Sequence, residues 1–217
     1  MKNRLAAPAL IIAAALAGAL PVGHFSDALS RAIDHFRTVE TYRVTIRSTH
    51  ANGEEHIRYY YEKSGFVRME FIGPHAGSVM IYNPNTKRVR LWPFGTGAFP
   101  EISLSPENSL IRSLSGMRVD HSDVGTLFEN IGALRREGNT EVFGEEIING
   151  RATQHFVVTG AEGAAIAGVH SSEVWLDVAT QFPVKVISRD VQGNIIETVM
   201  MDDLEINAKL PEALFNP

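Results

Sequence analysis

Between Phe25 and Val39 the apolar residues fall at Phe25, Ala28, Leu29, Ala32, Ile33, Phe36 and Val39, in steps of three and four. That spacing gathers them on one side of an α-helix, and Ser26 or Asp27 stands where a cap is needed. The period then changes to two. Tyr42, Val44 and Ile46 alternate with Arg43, Thr45 and Arg47, and Ile57, Tyr59 and Tyr61 with His56, Arg58 and Tyr60. Val67, Met69 and Phe71 alternate with Arg68 and Glu70, and Val89 and Leu91 with Arg88 and Arg90. A short apolar run over residues 78–82 fits one more strand. Turn signals separate the runs: Asn52-Gly53, Ser64-Gly65, Gly73-Pro74 and Asn83-Pro84-Asn85. The pattern predicts an antiparallel meander with one apolar and one wet face. Arg43, Arg58, Arg68, Arg88 and Tyr60 are expected to face water.

The rhythm breaks over residues 93–106, which are rich in Gly, Pro, Ser and Phe. Ser105-Pro106-Glu107 reads as a helix start, with proline at the first helical position, and its helix would carry Leu110, Ile111 and Leu114. A further helix is predicted over 122–136 with Val124, Leu127, Phe128, Ile131 and Leu134 on one side. Strands resume over 141–148, 151–159, 172–177, 182–189 and 194–201, with Asn149-Gly150 and Gln192-Gly193 as turns. Strand runs separated by helices that do not alternate with them define an α+β fold. A sheet of about ten strands twists enough to curl. The expected architecture is a curved, mostly antiparallel, unclosed β-barrel with amphipathic helices covering its concave face. Its cavity lining is expected to be Val44, Ile46, Ile57, Tyr59, Tyr61, Met69, Phe71, Val89 and Leu91, and Leu29, Ile33 and Phe36 on the first helix form a lid.

The N-terminus predicts that this fold is exported. Lys2 and Arg4 precede an uncharged stretch, Leu5 to Leu20, and Ala17-Gly18-Ala19 supplies small residues. That order is a secretory signal peptide, expected over residues 1–23. The stretch falls short of the ~20 apolar residues of a membrane span, and Pro8 interrupts it. The expectation is a single domain over residues 24–217, periplasmic, with no stable membrane span after processing. The chain contains no cysteine, which excludes disulfides, catalytic thiols and cysteine-bound metals. Its net charge of −5 argues against a nucleic-acid partner. Arg88, Arg90, Arg135 and Arg136 are interleaved with apolar or acidic residues and read as solvated faces.

Candidate chemistry is sparse. Eight histidines invite a metal reading, with His50 and His56 across a hairpin and further groups at His121-Ser122-Asp123 and His170-Ser171-Ser172-Glu173. None has the spacing of a three- or four-ligand zinc site. No Gly-x-Ser-x-Gly elbow or phosphate loop occurs. The carboxylate pairs Glu54-Glu55, Glu145-Glu146 and Asp202-Asp203 are adjacent, and neighbours on a strand point to opposite faces. No catalytic residue, metal or cofactor is therefore expected. What remains is the apolar excess on one face of a curved sheet, and such interiors hold ligands.

Several short motifs, in this order, are similar to the lipoprotein-localisation (LolA/LolB-like) superfamily, and within it to an uncharacterised bacterial subgroup. Val174-Trp175-Leu176-Asp177 looks like that family's strand ending in an aspartate, and Phe182-Pro183-Val184-Lys185-Val186 follows at a short distance. Asp190-Val191-Gln192-Gly193 and a closing Asn207-Ala208-Lys209-Leu210-Pro211 with Phe215 complete the set. The stretch Tyr42 to Trp92 and Gly116-Met117-Arg118-Val119 resemble the subgroup, so the likeness spans roughly Leu29 to Pro217. The resemblance implies an unclosed barrel plugged by helices. It also implies a cavity for the acyl chains of a lipid or an acylated protein, held without catalysis and without a cofactor. The alternative reading is an envelope sensor or regulatory module with an envelope protein as partner and no lipid ligand.

Overall fold

The computed structural model describes residues 23–217, with side chains from Ala28 onward. The expected signal peptide falls on residues 1–23, of which 1–22 lie outside the described residues, and so does the side chain of Phe25. Among the described residues no helix is long and apolar enough to cross a membrane.

Helix α1, Gly23–Phe36, leads into β1 (Thr41–His50), β2 (Gly53–Glu62), β3 (Phe66–Gly73), β4 (Val79–Asn83), β5 (Arg88–Trp92) and β6 (Ile102–Leu104). Helix α2, Val124–Glu137, then precedes β7 (Asn139–Ile148), β8 (Arg151–Thr159), β9 (Ser171–Asp177), β10 (Pro183–Arg189) and β11 (Ile195–Ile206). All eleven strands form one sheet in the order β6-β5-β4-β3-β2-β1-β11-β10-β9-β8-β7. Each hairpin pairs a strand with its successor. The two meanders are joined where β1 pairs antiparallel with β11, Tyr42 opposite Ile206 and His50 opposite Glu197. β6 and β7 stay at free edges, so the barrel does not close.

The alternation read from the sequence decides which face is covered. All nine expected lining residues belong to one apolar cluster with Leu29 and Ala32 of α1 and Val124, Phe128, Ile131 and Leu134 of α2. Helix α2 starts where expected because Asp123 caps it, its carboxylate accepting the Thr126 N–H at 3.1 Å. Tyr42 ties helix to sheet. Its ring stacks on Tyr61 and Tyr59 at 5.0 and 5.8 Å. Its hydroxyl accepts the Val124 N–H at 3.2 Å, one of the amides that a helix start leaves without an internal partner.

Two expectations are corrected. The helix expected after Pro106 is a 3₁₀ turn at Ser109–Ile111, capped by Asn108, with Ile111 buried and Leu110 81% exposed. Serines there compete for the backbone, as Ser113 Oγ does by accepting the Met117 N–H at 2.9 Å. Among the described residues two amphipathic helices therefore lie on the sheet, not three. Secondly, Arg68 does not face water: it is 7% exposed. The register has not slipped, since Val67 and Met69 beside it are buried in the helix-side cluster. The C-terminal segment covers the outer face instead. Phe215 joins Val79, Ile81 and Trp92 in a second cluster, with Tyr60, Phe66, Leu210 and Leu214 against it. Arg68 Nη1 donates to the Leu214 carbonyl at 2.8 Å and Nε to Glu70 at 2.9 Å, and Tyr60 is likewise half-buried. Arg43, Arg58 and Arg88 are exposed as expected.

Candidate functional site between the helices and the concave sheet

The strand pattern brings the expected lining residues onto one wall. Val44, Ile57, Tyr59, Tyr61, Met69 and Val89 are buried, while Ile46, Phe71 and Leu91 are half-buried and packed on the same cluster. Of the residues expected to form a lid, Leu29 is buried and Ile33 and Phe36 are partly covered. The wall and its helical cover are therefore in contact, and most of the interior is filled by side chains.

The packing is incomplete beside the seam between α1 and α2. A cavity of about 400 Å³ opens there, its apolar lining formed by Ile33, Phe36, Val39, Tyr61 and Phe128. Phe36 is its central piece: its ring lies 5.9 Å from those of Tyr61 and Phe182, 6.2 Å from Tyr42 and 6.3 Å from Phe128. Helix α2 can approach Phe36 because it carries a glycine. A Cβ at Gly125 would sit 2.5 Å from Phe36 Cε1. At the rim, Arg37 pairs with Asp34 at 2.8 Å and Lys63 pairs with Glu40. Asp123 and Glu129 line the same mouth, so its polar rim combines two paired cations with two carboxylates.

The polar groups inside this site are chiefly buried tyrosine hydroxyls. Burial, above all, pushes the Tyr42 and Tyr59 hydroxyls well above the usual phenol range, and pushes Tyr61 up to about 12. All three are neutral hydrogen-bonding groups at physiological pH. Tyr59 and Ser122 share a hydrogen bond at 3.1 Å, and the serine also donates to the Val119 carbonyl at 2.7 Å. Among the described residues no three His, Asp or Glu side chains are grouped to hold a metal ion. His50 lies opposite Gly53 and His56 opposite Arg47, so the hairpin does not bring the two histidines together.

The chain matches no protein-family model and no curated protein by sequence. Its three-dimensional form has relatives. MucB of Pseudomonas aeruginosa, solved in complex with MucA, superposes with a TM-score of 0.54 at 17% identity over 88% of this chain and 60% of that one. The lipoprotein LppX of Mycobacterium tuberculosis gives a TM-score of 0.54 at 11% identity over 88% of this chain and 99% of LppX. An uncharacterised conserved protein of Thermus thermophilus gives 0.54 at 13% identity over 89% and 93%. This chain has their fold. It spans less than two thirds of the length of MucB. The unclosed barrel implied by the lipoprotein-localisation resemblance is the architecture observed, and the likeness holds at the level of fold.

Two polar clusters of this half-barrel escaped sequence reasoning. On the helix side Ser48 donates to Glu197, both buried, and burial raises the nearby Glu55 carboxyl above its usual range. On the outer face His155, 8% exposed, is hydrogen-bonded through Nδ1 to Glu146 at 2.7 Å and through Nε2 to Glu173 at 3.0 Å. Its ring stacks on Trp175 at 4.2 Å and Phe143 at 4.7 Å, and Lys185 lies 4.2 Å over Trp175. The Trp175 N–H, then His155, hold Glu146 below the usual carboxylate range. This array braces β7 to β8, β9 and β10. Its members lie on different strands, and only the alternation, with His155 on the outward set, signals it.

Proposed function

We propose that this chain is an exported, non-catalytic binding protein of the cell envelope. It holds the acyl chain of a lipid or of an acylated protein between its concave sheet and its two helices. The observation that carries this reading is the apolar wall that the sheet presents to α1 and α2 in one cluster, with a cleft beside Phe36 that reaches Tyr61 of that wall. Val44, Ile46, Ile57, Tyr59, Tyr61, Met69, Phe71, Val89 and Leu91 would line the ligand, and Leu29, Ile33 and Phe36 form the lid. Binding proceeds by displacement of that lid. Each buried methylene contributes ~0.8 kcal/mol, so a long chain offsets the contacts of one aromatic ring. The scheme uses no cofactor. Export through the leader at residues 1–23, with residues 24–217 as the working periplasmic domain, belongs to the same reading.

A second reading has its own support. MucB was solved in complex with MucA, and the interior of the present chain is filled by its own side chains. On that reading the half-barrel docks an envelope protein and the helices stay shut. Native mass spectrometry after mild extraction separates the two, because a lipid-sized mass increment belongs to the first alone. The substitution Gly125→Ala sharpens the test. Its methyl group would meet Phe36 Cε1 at 2.5 Å and the capping Asp123 Oδ1 at 2.8 Å, so the ring is pushed aside and the cap carboxylate must shift, while alanine suits the helix. Loss of about 1.4 kcal/mol of lid packing raises affinity for a fluorescent fatty-acid probe roughly tenfold. A clean apo mass together with unchanged probe affinity in a folded variant would discard lipid binding in favour of the docking module.

A further inference from the structure

The loop between β5 and β6 exposes Phe99 at 92% and Phe94 at 74% of their surface. Isolated apolar residues on a surface are ordinary, whereas two phenylalanines held outward on one loop form a patch. This loop is braced. Arg90 and Glu101 at its base form a two-pronged ion pair at 2.6 and 3.1 Å. The Ala98 N–H donates to the Gly95 carbonyl at 3.1 Å, and a Cβ placed on Gly95 would lie 3.5 Å from the Gly77 carbonyl of the β3–β4 loop. Residues 93–100 carry no charge.

The strand register places this loop at one end of the half-barrel. Trp92 pairs with Val79 and Leu91 with Ile102, at the same end as the β1–β2 hairpin. The β10–β11 turn belongs to that end too, since Arg189 pairs with Ile195 and His50 with Glu197. That turn exposes Val191 at 43% and Ile195 at 50%. One end of the molecule thus carries apolar tips on loops from both halves of the sheet.

We propose that this end docks on a lipid bilayer, with Phe94 and Phe99 inserted at the interface. The occupant follows from the chemistry. The loop is uncharged and leaves both rings largely exposed, and a fluid interface accepts aromatic rings at headgroup depth without needing a matching shape. Glu54 and Asp190 lie at the same end, and the chain carries a net charge of −5, so the preferred surface is zwitterionic rather than anionic. Docking of this kind is independent of whether the concave face holds a ligand.

The experiment is co-sedimentation with phosphatidylcholine vesicles at low and high salt. The wild-type chain binds at both, because the attraction is apolar and is not screened. Phe94→Ser with Phe99→Ser weakens binding by roughly tenfold per ring. Phe143→Ser, which removes an exposed phenylalanine from the outer face of β7, leaves it unchanged. A Phe99→Trp variant reports insertion directly. The native Trp92 and Trp175 are 2% and 5% exposed, so a blue shift and quenching by spin-labelled lipid belong to the new indole. Phe94 and Phe99 make few contacts with the fold, and the variants remain folded. Absence of vesicle binding by the wild type, or equal binding by the double variant, overturns the proposal.

Discussion

Tyr42 does three things that one side chain rarely combines. It faces the helix side of β1, stacks on Tyr59 and Tyr61, and accepts the Val124 N–H at the start of α2. Its place on the apolar face is legible from the alternation with Arg43. Its hydrogen bond is not, because the partner lies 82 residues away. Removing the hydroxyl strands a buried amide, and an unmet donor costs more than the net worth of the bond. Tyr42→Phe is therefore expected to lower unfolding free energy by about 1 to 2 kcal/mol in urea titration. Tyr60→Phe, which gives up only a 3.4 Å hydrogen bond to Glu70, should stay within about 0.5 kcal/mol of wild type. Equal effects of the two would deny Tyr42 its role in seating α2. Gly125 teaches the same lesson: a glycine inside a helix signals a close approach, but the sequence does not say that Phe36 is what approaches.

At the scale of elements, strands β1 to β5 and helix α2 were legible because their pattern carries its own period and its own punctuation. Elements fixed by remote contacts were not. The segment 207–217 has no period, yet Phe215 is 5% exposed against Trp92 and Ile81 of the outer face. Nothing local in Arg68 distinguishes it from Arg58, and the difference between them comes from the tail that covers one of them. The same holds for residues 106–116, where a short apolar run looks like a helix but serine side chains take the backbone bonds. If the tail is a true layer of the fold, Phe215→Ala should cost about 3 kcal/mol, as large-to-small changes in cores do. A red shift of Trp92 fluorescence should appear in the folded state. A loss under about 0.5 kcal/mol, the range of surface substitutions, would reduce the tail to an incidental contact.

At the scale of the whole molecule, an unclosed sheet has two free edges and one face that must be covered. In this chain the cover is its own pair of helices, which leaves a filled interior with a cavity at the seam. Its tightness can be read from the tyrosines. Burial raises Tyr42, Tyr59 and Tyr61 in the folded chain, the last to about 12, whereas an unfolded tyrosine titrates near 10. Below pH ~10 these phenols are neutral in both states and stability does not depend on them. Above it the unfolded chain gives up protons that the folded chain retains. Stability is then lost as pH rises from about 10 through the folded-state values. A closed half-barrel should therefore unfold in one alkaline step, tyrosinate absorbance rising for the buried rings as the near-ultraviolet signal is lost. Bound acyl ligand should move that step to higher pH, by linkage to the folded state. If the full tyrosinate signal instead develops near pH 10 while the near-ultraviolet spectrum persists, hydroxide reaches the wall in the native state. The helices would then not seal the concave face, and the lid would have to be sought elsewhere.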